Sequence, residues 1–271
     1  MLAYTHIPKT AGSTLTEILI KQYGAKLISI IPRKGQIYTY SNLKEDLQIY
    51  KDPSCIAGHY LKPFVDFKEF NDKMEWFTFL RHPIKTFISL YVHQFTGKDA
   101  KYKIEFSDWM TKFNRKNRMV NWIAGENNLE KAKEIIEKKI KFIGITEKFD
   151  ESLILLKEKF NFKSISYVRR MKTRDPLLIS NITNNLTRFE DQIMLNNSLD
   201  FELYHYVLNK IFPAQIESIG YNKFSKLLEM KQNTFVNKDI NAKKINQITY
   251  KLKRNFVYKP FVFFTSRFKN I

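Results

Sequence analysis

The residues best suited to chemistry crowd the amino terminus. Leu2 to Ile7 is a short apolar, β-prone run that Pro8 ends. Lys9-Thr10-Ala11-Gly12-Ser13 is a small polar stretch that opens into a helix-like run from Thr14 to Tyr23. A strand handing over to a helix through a tight loop leaves the first helical N–H groups without internal partners. The loop therefore offers donors and partial positive charge to an anion. Lys9 adds a full charge, and Thr10, Ser13 and Thr14 add hydroxyls at the same mouth. A phosphate cradle and an ordinary strand–turn–helix corner both satisfy these residues. A nucleotide-hydrolase loop does not: it ends in Gly-Lys-Ser/Thr with the hydroxyl on magnesium, whereas here Lys9 precedes Gly12.

The elements that follow are expected to bring more groups to the same place. Lys26 to Ile31 reads as a second strand after a stop at Gly24, Ser41 to Tyr50 as a helix with Ser41 as N-cap, and Cys55 to Tyr60 as a third strand carrying His59. Trp76 to Leu80 is a fourth strand ending in Arg81-His82-Pro83. Pro suits a first helical turn, so Ile84 to Phe95 is expected to be helical, with Phe87, Leu90 and Tyr91 at core spacing and Ser89 beside Lys85 and His93. Strands alternating with helices predict an α/β fold of three layers, a mostly parallel sheet flanked by helices, in which ligands collect at the carboxyl ends of the strands. Arg81 and His59 would share that edge with the loop. Ser89 and Lys85 read equally well as solvated surface residues.

HIPKTAGST resembles the 5′-phosphosulfate loop of sulfotransferases that use 3′-phosphoadenosine 5′-phosphosulfate (PAPS), in particular the heparan-sulfate O-sulfotransferase branch, as a soluble, bacterial-type member. RHPIKTFISLY resembles the second signature of that family, Arg-x-Pro-x-x-Arg-x-x-Ser-x-Tyr, in which Arg and Ser hold the 3′-phosphate. Arg81, Pro83, Ser89 and Tyr91 fit it, while His82 and Thr86 depart from it and Lys85 stands beside the missing Arg. AGHYLKPFVDF is similar to the segment that supplies a His general base. The resemblance covers roughly residues 1 to 230, including FIGITEKFDESLILL and DFELYHYVLNKI. It implies a P-loop-like sulfotransferase fold, with PAPS as co-substrate and no metal. Lys9, Thr10, Ala11, Gly12, Ser13, Thr14, Arg81 and Ser89 are the donor-binding residues it implies, with His59 and Lys9 in catalysis and a glycan or glycolipid as acceptor.

Composition bounds the rest. The formal charge of +19 over 271 residues points to a polyanion, an anionic cofactor or an anionic membrane surface. No zinc spacing, RNA-recognition signature or helix-turn-helix pattern supports nucleic acid, so none is expected as a partner. No apolar run of about 18 residues is present to span a bilayer, and the first strand starts too near Met1 for a signal segment. The single cysteine, Cys55, suits a reducing compartment, so a cytoplasmic protein is expected, peripheral at the inner membrane surface if its end binds lipid.

Further along, Lys141 to Thr146 and Ser164 to Arg169 read as strands and Phe149 to Phe160 as a helix. Arg170 to Arg174 reads as a basic loop, and Leu199 to Leu228 as helical with an interruption at Pro213. One domain is expected over 1–230. Residues 231–271 form a basic, aromatic tail that is either a solvated end or a peripheral anchor at an anionic membrane. The rival to an enzyme is a non-catalytic polyanion or nucleic-acid binder that keeps a vestigial nucleotide site.

Overall fold

The structure is a computed structural model, and it describes residues 1–33, 37–96, 108–109, 116–167, 189–233 and 240–268. Five strands, β1 (Leu2–Thr5), β2 (Leu27–Ser29), β3 (Cys55–Gly58), β4 (Glu75–Leu80) and β5 (Ile140–Ile145), form one sheet in the order β2-β3-β1-β4-β5. Every pairing is parallel. The sheet is covered by helices because a parallel strand is reached only through a crossover. These are α1 (Gly12–Tyr23), α2 (Tyr40–Ile49), α3 (Pro83–Thr96), α4 (Arg118–Ala124), α5 (Leu129–Lys138), α6 (Phe149–Phe160), α7 (Ser198–Tyr206), α8 (Phe212–Ile219), α9 (Tyr221–Asn233), α10 (Ile240–Leu252) and α11 (Lys259–Phe268).

Both sheet faces carry aromatic rings, so both are sealed by packing. Tyr4 stacks on Phe77 at 4.7 Å, and α6 closes over that face with Phe160 5.8 Å from Phe77 and Phe149 5.7 Å from Phe79. Phe67 lies 5.9 Å from Trp76. Phe87, Leu90 and Tyr91 of α3 are buried as their spacing requires, in a satellite cluster with Trp109 and Ile193.

Three expectations from sequence give way to better local solutions. The N-cap of α2 is Thr39, not Ser41: Asn42 N–H donates to Thr39 Oγ1, and Thr39 N–H donates to Asn42 Oδ1, satisfying both ends of the turn. Residues 164–167 form no strand. Tyr167 instead donates to Asp150 Oδ1 at 3.0 Å and sets its ring edge-on to Phe149. Pro213 does not interrupt its helix. A π-helical turn over Val207–Ile211 shifts the backbone ladder just ahead of it, and Pro213 follows as the second residue of α8. The break falls instead at Gly220, whose φ of 85° only glycine adopts readily.

The carboxyl-terminal segment is helical over α10, a π turn (Lys253–Tyr258) and α11. Its Tyr250, Tyr258 and Val262 belong to the main core. Asn246 donates to Lys21 O at the end of α1, and Tyr258 donates to Asp46 Oδ2 at 2.6 Å. The tail boundary drawn at residue 230 from composition thus falls inside α9, and the final helices pack onto α1 and α2.

Candidate active site

β1 is central, with β3 and β4 on either side in register, Thr5 opposite Gly58 and Tyr4 opposite Phe77. Parallel strands deliver the residues after their carboxyl ends to one edge. That edge therefore holds the loop after β1, His59 after β3, Arg81 after β4 and Glu147 after β5. Buried hydroxyls lock it. Thr5 Oγ1 donates to Leu61 O at 2.7 Å, Thr78 Oγ1 to Thr5 O at 2.9 Å and Thr146 Oγ1 to Leu80 O at 2.9 Å.

The loop itself is bent against ordinary preference. Lys9 and Ala11 both take positive φ, 70° and 64°, a costly conformation for residues with a Cβ. Thr10 holds the bend: it is fully buried and its hydroxyl donates to Ile7 O at 2.8 Å, fixing the turn from inside. Gly12 is required by close approach, because a Cβ there would stand 1.5 Å from His6 Nε2. Ala11 O accepts the N–H groups of Thr14 and Leu15, but α1 starts with no side-chain cap. Among the described residues the N–H groups of Gly12 and Ser13 have no acceptor, so the helix mouth keeps its donors for something else.

Around that mouth the charge is one-sided. Lys9 is half-buried, and burial, then the nearby Arg81, holds its pKa below the ordinary value. Arg81 Nη1 donates to Lys9 O at 3.1 Å, tying β4 to the loop. Its Nε is buried without a hydrogen bond, 4.0 Å from Glu147 Oε1. Glu147 is engaged elsewhere, accepting from His82 N–H and from the Tyr204 hydroxyl at 3.1 Å. Ser89 is half-buried on α3 and makes no hydrogen bond to Arg81 or the loop among the described residues. Four residues further along the same helix, the charge of Lys9, and then burial, depresses the pKa of His93, which places that face of α3 within electrostatic reach of the loop. The basic loop at Arg170 to Arg174 lies outside the described residues.

His59 follows the end of β3 at this edge. Its Nδ1 lies 2.9 Å from the carbonyl oxygen of His6, and its ring stacks on the His6 ring at 3.9 Å. Desolvation by its neighbours lowers its pKa from 6.5, the bond to His6 opposes that, and the charges of Lys62 and Arg118 lower it further. His6 is driven to about 3 by burial first, then by His59 and Lys9, so it stays neutral and packs as a flat spacer between Gly12 and His59.

Sequence reasoning passed over the wall opposite His59. Trp122 of α4 meets the His59 ring edge-on at 6.4 Å, and Lys62 Nζ sits 2.7 Å from the Trp122 ring centroid. Lys62 is only 7% exposed, and burial, then Arg118, brings its pKa down to about 6. Reciprocal capping aims α4. Asp200 accepts Met119 N–H and Val120 N–H at 2.9 and 2.8 Å, while Asn117 Oδ1 accepts Leu199 N–H at 3.1 Å. The one available signal was AGHYLKPFVDF itself, where Lys62 follows His59 by three residues; its packing on a helix sixty residues later is a tertiary fact.

A sequence profile described as the Sulfotransferase family matches residues 1–207, three quarters of the chain and every residue of this edge. The chain belongs to the sulfotransferase family. A search of curated proteins finds no match. The five-stranded parallel sheet with its strand-to-helix loop after β1 is the P-loop-like α/β architecture expected of a sulfotransferase. Among the described residues, no helix is long and apolar enough to cross a membrane.

Proposed function

We propose that this sulfotransferase moves a sulfuryl group from PAPS to a hydroxyl of a glycan or glycoconjugate, with His59 as general base. The observation that carries the reading is the bond between His59 Nδ1 and the His6 carbonyl. A carbonyl only accepts, so Nδ1 bears the proton and Nε2 offers its lone pair to the crevice.

Three features of the chain fit a bound PAPS: the uncapped start of α1, the buried Arg81 Nε without a hydrogen bond, and Lys9, which has no carboxylate partner among the described residues. PAPS supplies the activated sulfuryl group. The loop from Lys9 to Thr14 would bind its 5′-phosphosulfate, and Arg81 with Ser89 its 3′-phosphate. Lys9 and the N–H groups of Gly12 and Ser13 then face negative charge developing on the leaving side, as electrostatic catalysis requires. His59 Nε2 takes the proton of the acceptor hydroxyl. Trp122, edge-on to His59 and with Lys62 over its ring, would border the acceptor. Positioning and charge stabilisation suffice for a loose, in-line transfer of this type. Cys55, buried with its thiol pKa pushed up by desolvation, is compatible with a cytoplasmic setting.

The deciding experiment substitutes His59→Ala. Turnover should fall by about 10²- to 10⁴-fold, while adenosine 3′,5′-bisphosphate still raises the melting temperature as in the unaltered protein. The unaltered enzyme should lose rate on acidification only below pH 6.5, because the His59 pKa is lowered and the base works while neutral; the variant should lack that acidic limb. Full turnover in the variant would remove His59 from the mechanism. Nucleotide binding with no transfer to any glycan would favour the non-catalytic polyanion binder.

A further inference from the structure

The unbroken helical path through α10, the π turn and α11 has two apolar faces. One is consumed by the fold, through Tyr250, Tyr258 and Val262. The other is not: Ile245, Ile248, Leu252 and Phe256 are 59, 56, 52 and 76% exposed. At about 3.6 residues per turn these four side chains fall along one line of the helix. Val257, Phe263 and Phe264 extend the exposed apolar surface, so more than half of the large exposed apolar side chains among the described residues lie between 245 and 264.

Charge selects the occupant of this face. No acidic residue occurs between 240 and 268, and Lys244, Lys251 and Lys259 are exposed on the same helices. A second copy packing face to face would bring these lysines against their own like, a repulsive arrangement in a two-fold interface. An apolar, aromatic stripe bordered by lysine is suited to a surface that is greasy within and negative outside. We propose that this face is a peripheral docking surface for an anionic lipid bilayer, with the helix lying in the plane of the headgroups and the stripe inserted among the acyl chains.

The fold presents the surface ready-made. Tyr258 to Asp46 and Asn246 to Lys21 O hold the helix from behind, so among the described residues this face is folded before it meets a bilayer. No described helix can cross the bilayer, which leaves contact at one leaflet. Docking here is independent of sulfuryl transfer, because none of these residues lies in the crevice.

Flotation of the full chain with vesicles tests it. Phosphatidylcholine vesicles containing phosphatidylglycerol should carry the protein up the gradient, and pure phosphatidylcholine vesicles should carry much less. Ile248→Glu with Phe256→Glu should abolish flotation without changing the melting temperature or the response to adenosine 3′,5′-bisphosphate, since both side chains are exposed. Lys244→Glu with Lys251→Glu should weaken binding to the anionic vesicles by about tenfold or more, and added salt should do the same to the unaltered chain. Equal flotation of the Ile248→Glu, Phe256→Glu protein would overturn the proposal, as would indifference to phosphatidylglycerol. Concentration-dependent dimerisation that the same pair abolishes, in a chain that does not float, would assign the face to a second copy instead.

Discussion

The polar cluster at Asp46 and the one at the carboxyl edge of the sheet are built on opposite rules. At Asp46 the carboxylate is fully buried and amply paired: Arg33 Nη2 and the hydroxyls of Tyr38 and Tyr258 all donate to it. At the carboxyl edge of the sheet, Lys9 and Arg81 lie together beside the start of α1, and the carboxylate of Glu147, 4.0 Å from Arg81, is bonded to other groups. The first cluster fastens the carboxyl-terminal helices to α2. The second leaves positive charge and helix donors uncompensated, which costs stability in the protein alone and which the proposed donor would offset on binding. The location of the deficit is what marks the site.

Breaking the compensated cluster should have the largest effect. Asp46→Ala would leave Arg33, whose side chain is 9% exposed, without its carboxylate, and should lower unfolding free energy by about 3–5 kcal/mol in a denaturant titration. Loss of stability below about 1 kcal/mol would mean that the cluster is not the fastening it is taken for.

Removing a charge from the uncompensated cluster should instead spare the fold and strike the ligand. Arg81→Ala should weaken adenosine 3′,5′-bisphosphate by about 1.5–3 kcal/mol, one lost hydrogen bond to a charged group, and should weaken adenosine 5′-phosphosulfate far less. Calorimetry on both nucleotides checks this, and equal weakening would move the 3′-phosphate away from Arg81.

Tyr258→Phe takes one donor from Asp46 and leaves Arg33 and Tyr38 in place, so the cost should be only about 1 kcal/mol. The loss should be read as a drop in melting temperature with turnover on a soluble acceptor intact.

An effect of similar size should have the opposite sign. Lys62 is buried and its pKa is lowered to about 6, so between there and its ordinary 10.5 the unfolded chain holds a proton that the folded chain does not. Its contribution to stability is therefore lost as pH falls through that window. Lys62→Met should raise the melting temperature at pH 7 by roughly 2–4 °C, about 1 kcal/mol in a chain of this size, and the gain should vanish above pH 10.5. If Lys62 borders the acceptor, the same variant should raise the acceptor KM and leave nucleotide binding unchanged.

Much of this was legible from local pattern. Alternating apolar strands and amphipathic helices mark the α/β order, and α6 runs from Phe149 to Phe160 as its spacing requires. Lys9 to Thr14, His59 and Arg81 stood out because each follows a strand, and parallel strands all end at one edge. Local pattern failed where a distant contact outweighed a near one. Ser41 looked like a cap until Thr39 and Asn42 proved able to satisfy each other, and the segment from Ser164 met Phe149 and Asp150 rather than a neighbouring strand.

By itself, then, the sequence determined the strand-to-helix corner, the basic surplus and which residue types reach the ligand edge, because all of these follow from order along the chain. Only the tertiary structure decided that His6 would set the tautomer of His59, that Lys62 would be buried under Trp122, and that Tyr258 would reach back to Asp46. Each of those joins groups about 50 to more than 200 residues apart in sequence. Their geometry depends on the packing of whole elements, and a spacing rule along one strand or helix carries no information about it.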